Sequence, residues 1–181
     1  MELVEKVFDA VLVIQPQVFK DNRGYFFESF SYQKIESIGL DAKFIQDNES
    51  LSTEKGVLRG LHFQNSPHAQ GKLIRVIKGA VLDVAVDIRK NSKTYGEHFA
   101  IELNEENKTM LYIPPGFAHG FVTLENNTIF NYKCTNYYNK SAEDGILWND
   151  PDLNIDWGIE NPTLSEKDKT NQLFKNFKSL F

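Results

Sequence analysis

Hydrophobic and polar positions alternate in short runs through most of the chain. The clearest run is Val81 to Arg89, VLDVAVDIR: Leu82, Val84, Val86 and Ile88 take one face, Asp83 and Asp87 the other. Lys72 to Lys78 alternates likewise and ends in a Gly79 turn. Val7 to Gln15, Tyr25 to Phe30, Phe44 to Glu49, His98 to Leu103 and Thr109 to Ile113 read as further strands. Gly120 to Leu124 and Thr128 to Thr135 are expected to pair across Glu125-Asn126-Asn127. Asp21-Asn22-Arg23-Gly24, Glu54-Lys55-Gly56 and Pro114-Pro115-Gly116 punctuate the runs as turns. Helical character is confined to YQKIESI, capped by Ser31 and ended by Gly39, and to the tail from Ser165 to Phe177. Beyond Tyr138 the chain loosens into WNDPDLNIDWG, which reads as loop.

Many short strands with helices only at the margins predict an all-β fold, an antiparallel sandwich or jelly-roll barrel with short flanking helices. No linker or repeat divides the chain, so residues 1–181 are expected to form one domain. The 14 phenylalanines and 7 tyrosines favour strands in the same way. A net charge of −5 offers no basic footprint for nucleic acid. With one cysteine, Cys134, no internal disulfide can form, which fits a reducing compartment. The acidic N-terminal stretch does not read as a secretory signal, and no apolar run is long enough to span a bilayer. A cytoplasmic protein with no membrane partner is the expectation.

The chemistry concentrates in Gly56 to Gly79, two β-like runs joined by a polar loop holding Pro67 and Gly71. His62 lies near the end of the first run, and Lys72 opens the second. Together with Pro114-x-Gly116-x-x-His119, these residues resemble the two motifs of the cupin superfamily. Metal-binding cupins use His-x-His, then Glu, then a later His. Here Gln64 replaces the second His and Lys72 stands in the Glu position. An ammonium cannot ligate a cation, so neither metal nor cofactor is expected. A neutral imidazole beside a fixed ammonium suits removal of a proton alpha to a carbonyl, with the ammonium stabilising the oxyanion. Tyr132, on the face of Phe130 and Cys134, could return the proton from the other side; read alone, it is better taken as a core aromatic with its hydroxyl satisfied.

The run RGLHFQ, the strand Lys72-Leu-Ile-Arg-Val, DVAVDIR, IPPGFAHGF and the late LSEKD together resemble the dTDP-4-dehydrorhamnose 3,5-epimerases. The resemblance runs from about Ile14 to Ser165–Asp168 and implies a metal-free, cupin-like jelly roll that acts as a homodimer. It implies epimerisation at C3 and C5 of dTDP-4-dehydro-6-deoxy-D-glucose, a dTDP-4-keto-6-deoxyhexose. It makes His62 the base, Asp168 its partner, Lys72 the support of the C4 oxygen and Tyr132 the acid. It makes Arg23, Glu28, Gln46, Asp47, Asn48, Arg59, Lys72, His119, Glu143 and Lys167 binders of the nucleotide sugar. Tyr138 would stack on the thymine of the neighbouring subunit's site.

Each residue also has a plainer reading. Asp168, three residues after Ser165, would complete a capping box. Arg23 and Glu28 would be surface charges, and Arg59 and Arg75 sheet-edge ion pairs. Asp83 and Asp87 share one face of an apolar strand and need partners; one is expected to orient Lys72 or an arginine. Three rival functions stay open: a single-carbon epimerase or ketoisomerase of a related sugar, a metal-dependent cupin, and a non-catalytic sugar-binding module. Proton exchange at one carbon only, metal content, and binding without exchange would mark them in turn.

Overall fold

The computed structural model describes residues 1–181 as two facing antiparallel sheets. Numbered in chain order, one sheet runs β1 (Glu2–Val7), β2 (Val11–Gln15), β10 (Met110–Ile113), β7 (Lys72–Lys78), β12 (Thr128–Cys134) and β5 (Gln46–Ser52). The other runs β13 (Glu143–Gly145), β6 (Leu58–Gln64), β11 (Phe117–Thr123), β8 (Ala80–Asp87) and β9 (His98–Asn104). A separate ribbon pairs β3 (Phe19–Asp21) with β4 (Gly24–Phe26). This is the all-β jelly roll that the alternation predicts. No helix is long and apolar enough to cross a membrane.

The period of two explains three apolar layers. Val11, Val13, Ile74, Val76, Val81, Ala85 and Phe130 meet between the sheets. The opposite faces are covered as well. Val84, Val86 and Ile88 of the β8 stripe pack beneath Ile146, Leu153, Trp157 and Phe177. Leu12, Ile14, Leu73 and Met110 pack beneath Ile35, Leu40 and Ala42, on and just after the short helix α1 (Tyr32–Ser37). Both faces of each sheet therefore exclude water over much of their area, which strands of this alternation do not by themselves demand.

Several local expectations are corrected. Val7 to Gln15 is not one strand: the chain reverses at Phe8 and Asp9 (φ 52° and 55°) and pairs β1 with β2. The strand expected over Tyr25 to Phe30 ends at Phe26. Gly120 to Leu124 and Thr128 to Thr135 do not pair with each other. β11 lies between β6 and β8, while β12 lies between β5 and β7, so the turn at Glu125-Asn126-Asn127 carries the chain from one sheet to the other. The turn chemistry is that of a hairpin, but each strand already has two partners, so long-range pairing prevails. β9 and β10 likewise belong to different sheets. The segment after Tyr138 contains β13, which sets Glu143 opposite Gln64 and Gly145 opposite His62. The tail is helical only at α2 (Glu166–Lys169) and in a 3-10 turn at Phe174–Asn176. Between them, Gln172 bridges to Ile146.

Candidate active site

Between the sheets lies a cavity of about 660 Å³, with an adjoining lobe of about 410 Å³. The two share Asn48, His62, Lys72, Tyr132 and Glu143. His62 belongs to the five-stranded sheet; Lys72 and Tyr132 belong to the six-stranded one. A molecule in the cavity thus lies between an imidazole on one wall and an ammonium and a phenol on the other.

The placement of His62 depends on an irregularity in β6. Its pairs with β11 are His62↔His119 and Arg59↔Phe121, so β6 carries one more residue than its partner between them. This bulge brings Arg59 and His62 to the same side, although strict alternation would oppose them. Gly60 occupies it at φ 150°, and a Cβ there would lie 2.5 Å from the Gly120 Cα. Only glycine permits that approach.

His62 Nε2 lies 2.5 Å from Asp168 Oδ1, leaving Nδ1 to take up a proton. The Ser165 hydroxyl donates to Asp168 Oδ2 at 2.7 Å, and the Asp168 N–H donates to Ser165 Oγ at 3.2 Å. Ser165 therefore caps α2, while the Asp168 carboxylate takes the Ser165 hydroxyl rather than its backbone N–H and faces His62, so only half of the expected capping box forms. Burial pushes the Asp168 carboxyl up, but hydrogen bonding and charge from His62 outweigh this, with Ser165 and Lys167 adding. The net position is below the ordinary carboxylate value.

Lys72 Nζ is 3.5 Å from His119 Nδ1 and 5.8 Å from the centre of the Tyr132 ring. Burial lowers the Lys72 ammonium; Cys134, Asp83 and Glu143 oppose that shift. On its other side, His119 Nε2 lies 3.0 Å from both oxygens of Asp83, whose side chain is fully buried. That contact assigns the proton to Nε2 and turns the Nδ1 lone pair toward Lys72. Burial holds the His119 imidazole below its ordinary value, against the pull of Asp83. Burial raises the Tyr132 phenol, keeping it protonated. The two strand carboxylates thus have distinct partners. Asp87 binds Arg89, as expected of one of them, and Asp83 reaches Lys72 only through His119.

Arg59, His119, Glu143, Lys167 and Asp168 line the larger cavity, and Gln46 and Tyr138 line the lobe. Lys167 and Glu143 form an ion pair at 2.6 Å. Three expected binding residues stand apart. Asp47 alternates to the opposite face of β5 and pairs with Lys133 at 2.9 Å. Arg23 pairs with Asp21 on the exposed ribbon, and Glu28 with Lys34. Tyr138 lines the lobe of its own chain and donates to Glu143 at 3.1 Å. The sequence reading missed Ser165, Phe121 and Phe130 as wall residues and left the Asp83–His119 pair unassigned. Asp83 carried a signal, a carboxylate on a buried strand face, but its partner lies on another strand.

The family model described as dTDP-4-dehydrorhamnose 3,5-epimerase matches residues 5–176. The enzyme of that name from Shigella flexneri is 51% identical over 176 residues, covering 96% of each chain. The crystal structure of the Bacillus anthracis enzyme, with TDP and PPi bound, superposes with a TM-score of 0.94 at 43% identity, covering 96% of this chain and 99% of that one. The Legionella pneumophila dTDP-6-deoxy-D-glucose-3,5-epimerase, in complex with dTDP-4-keto-L-rhamnose, has a TM-score of 0.93 at 44% identity, covering 98% and 94%. With this similarity along nearly its whole length, the chain belongs to the dTDP-4-dehydrorhamnose 3,5-epimerase family.

Proposed function

We propose that this chain, as one domain over residues 1–181, epimerises C3 and C5 of dTDP-4-dehydro-6-deoxy-α-D-glucose to give dTDP-4-dehydro-β-L-rhamnose, in dTDP-L-rhamnose biosynthesis. The observation that carries the reading is the placement of His62 and Tyr132 on facing walls, with Lys72 beside Tyr132. His62 Nδ1 takes the proton from C3, and the C–H electron pair moves into an enolate whose oxygen is on C4. The Lys72 ammonium stabilises that oxygen. The Tyr132 hydroxyl delivers a proton to C3 from the opposite face, inverting it, and the sequence repeats at C5. Proton transfers to and from solvent restore His62 and Tyr132, so no redox partner is consumed. General acid and base groups contribute roughly 10²–10⁴-fold each, and the oxyanion contact about 3 kcal/mol.

Arg59 and Lys167 supply positive charge for the diphosphate. Gln46, Asn48, His119 and Glu143 supply polar contacts, and Tyr138 supplies an aromatic face for the base. The Arg23, Glu28 and Asp47 side chains lie outside this chain's own cavity; in a homodimer, Arg23 and Glu28 serve the neighbour's substrate. The ribbon around Arg23 leaves Phe19, Tyr25 and Phe26 exposed, which supports a homodimer in which it packs against a neighbour. A nucleotide-sugar substrate and one buried, unpaired Cys134 fit the cytoplasm.

Deuterium wash-in from D2O into C3 and C5, followed by NMR, tests the reading. Label at both carbons, lost in His62→Asn, is the expected result. Label at one carbon alone would make the enzyme a monoepimerase. No label above the uncatalysed rate would overturn the assignment.

A further inference from the structure

Gln64 occupies the position where metal-binding cupins place their second histidine, and the chemistry above gives it no task. It is 6% exposed, and its amide is fully engaged. Oε1 accepts the Asn139 N–H at 2.7 Å. Nε2 donates to the carbonyl of His68 at 2.7 Å and to that of Tyr137 at 3.2 Å. The side chain therefore grips the backbone immediately before and immediately after Tyr138. It also ties that segment to the loop between β6 and β7. Other side chains hold the segment as well: Asn136 donates to the Pro67 carbonyl at 3.0 Å, Asn139 Nδ2 meets His68 Nε2 at 3.1 Å, and Tyr138 donates to Glu143. Gln46 Oε1 accepts the Tyr138 N–H at 3.0 Å, and Gln70 donates to the Asn136 carbonyl at 2.7 Å.

We propose that Gln64 is a positioning residue that sets Tyr138 over the smaller lobe of the site, the former ligand position now serving as a clamp on the substrate loop. The inference rests on the proposed role of Tyr138 in binding the nucleotide. An imidazole has two ring nitrogens and cannot supply one acceptor and two donors, so histidine would not hold all three contacts. An aliphatic side chain would leave two carbonyls and one N–H without partners. Gln64 shares a strand with His62 but acts on the far end of the substrate. Its loss therefore changes affinity rather than the chemical step.

The test compares Gln64→Leu, Tyr138→Ala and the double variant, reading KM, kcat and amide hydrogen exchange at Asn139. Gln64→Leu is expected to raise KM about tenfold, leave kcat within about twofold, and expose the Asn139 amide to exchange. In the Tyr138→Ala background it is expected to raise KM no further. An equal KM rise in both backgrounds, a fall in kcat with KM unchanged, or an Asn139 amide still protected would each overturn the proposal. Exposure of Asn139 in Gln64→Leu together with an unchanged KM in Tyr138→Ala would retain the clamp and overturn the binding role of Tyr138. Should Gln64→Leu fail to fold, Gln64→Glu keeps the acceptor for Asn139 and loses both donors; KM and kcat in the two backgrounds then decide, and an equal KM rise with and without Tyr138 overturns the proposal.

Discussion

Lys72 and Tyr132 are neighbours on one wall, and burial moves them in opposite senses: the ammonium is easier to deprotonate and the phenol harder. Enolate stabilisation needs the ammonium, so turnover is expected to fall as pH rises through the lowered Lys72 value, while Tyr132 is still protonated. The alkaline limb of the pH–rate profile thus reports Lys72. Asp83 supports the charged form of Lys72 from behind His119, so Asp83→Asn should move that limb to lower pH. A limb that stays in place would remove Asp83 from the account. Tyr132→Phe tests the opposite wall. It should cut product formation by roughly 10²–10⁴-fold, while His62 still exchanges the substrate proton on its own face. NMR would then show deuterium entering with retained configuration; simultaneous loss of exchange would make Tyr132 more than the acid.

At the scale of elements, β6 positions one wall of the site and β8 ends in an anchor away from it. β6 relies on Gly60, whose close approach to Gly120 aligns Arg59 with His62. Gly60→Ala is expected to destabilise the protein by roughly 1–3 kcal/mol in chemical denaturation and to lower turnover further by turning His62. β8 ends in a buried carboxylate. Asp87 accepts from Arg89 Nη2 at 2.7 Å and from the hydroxyls of Ser92 and Thr94 at 2.6 Å each. Burial raises its pKa, but these bonds outweigh that and lower it from 3.8 to about 2. A folded pKa below the unfolded one contributes stability that is fully present above about pH 4 and lost as pH falls toward 2. The contribution is about 2 kcal/mol. Asp87→Asn should therefore show a shallower loss of stability on acidification between about pH 4 and 2 than the parent, measured by thermal melts across that range.

On the whole-molecule scale, Arg23 and Glu28 stand with the exposed aromatic ribbon, away from the cavity of their own chain. If they serve a neighbour's substrate, two inactive variants complement each other. Mixing Arg23→Ala with His62→Asn should restore activity, because a mixed dimer has one site with both residues intact. No recovery after verified subunit exchange would confine each site to one chain.

Much of the architecture was legible before any coordinates, because alternation with a period of two is a local property. It marked β8, β7 and β12 and the all-β class. It also put Tyr132 on the same face as Phe130, where both line the cavity. The motif resemblance drew together His62, Lys72, Tyr132 and Asp168, which do share one cavity. Adjacent residues could not be separated by motif alone. Gln46 and Asn48 face the site, while Asp47 between them faces away, because strand alternation divides them. The sequence by itself determined the class and the strand faces, since these follow from local composition and order, and its motif resemblance singled out the candidate reacting side chains. Only the tertiary structure decided which strands pair, where β6 bulges, that Asp83 stands behind His119, and that Gln64 grips the Tyr138 segment. Those depend on contacts between residues dozens of positions apart, whose geometry is set by the packing of the two sheets.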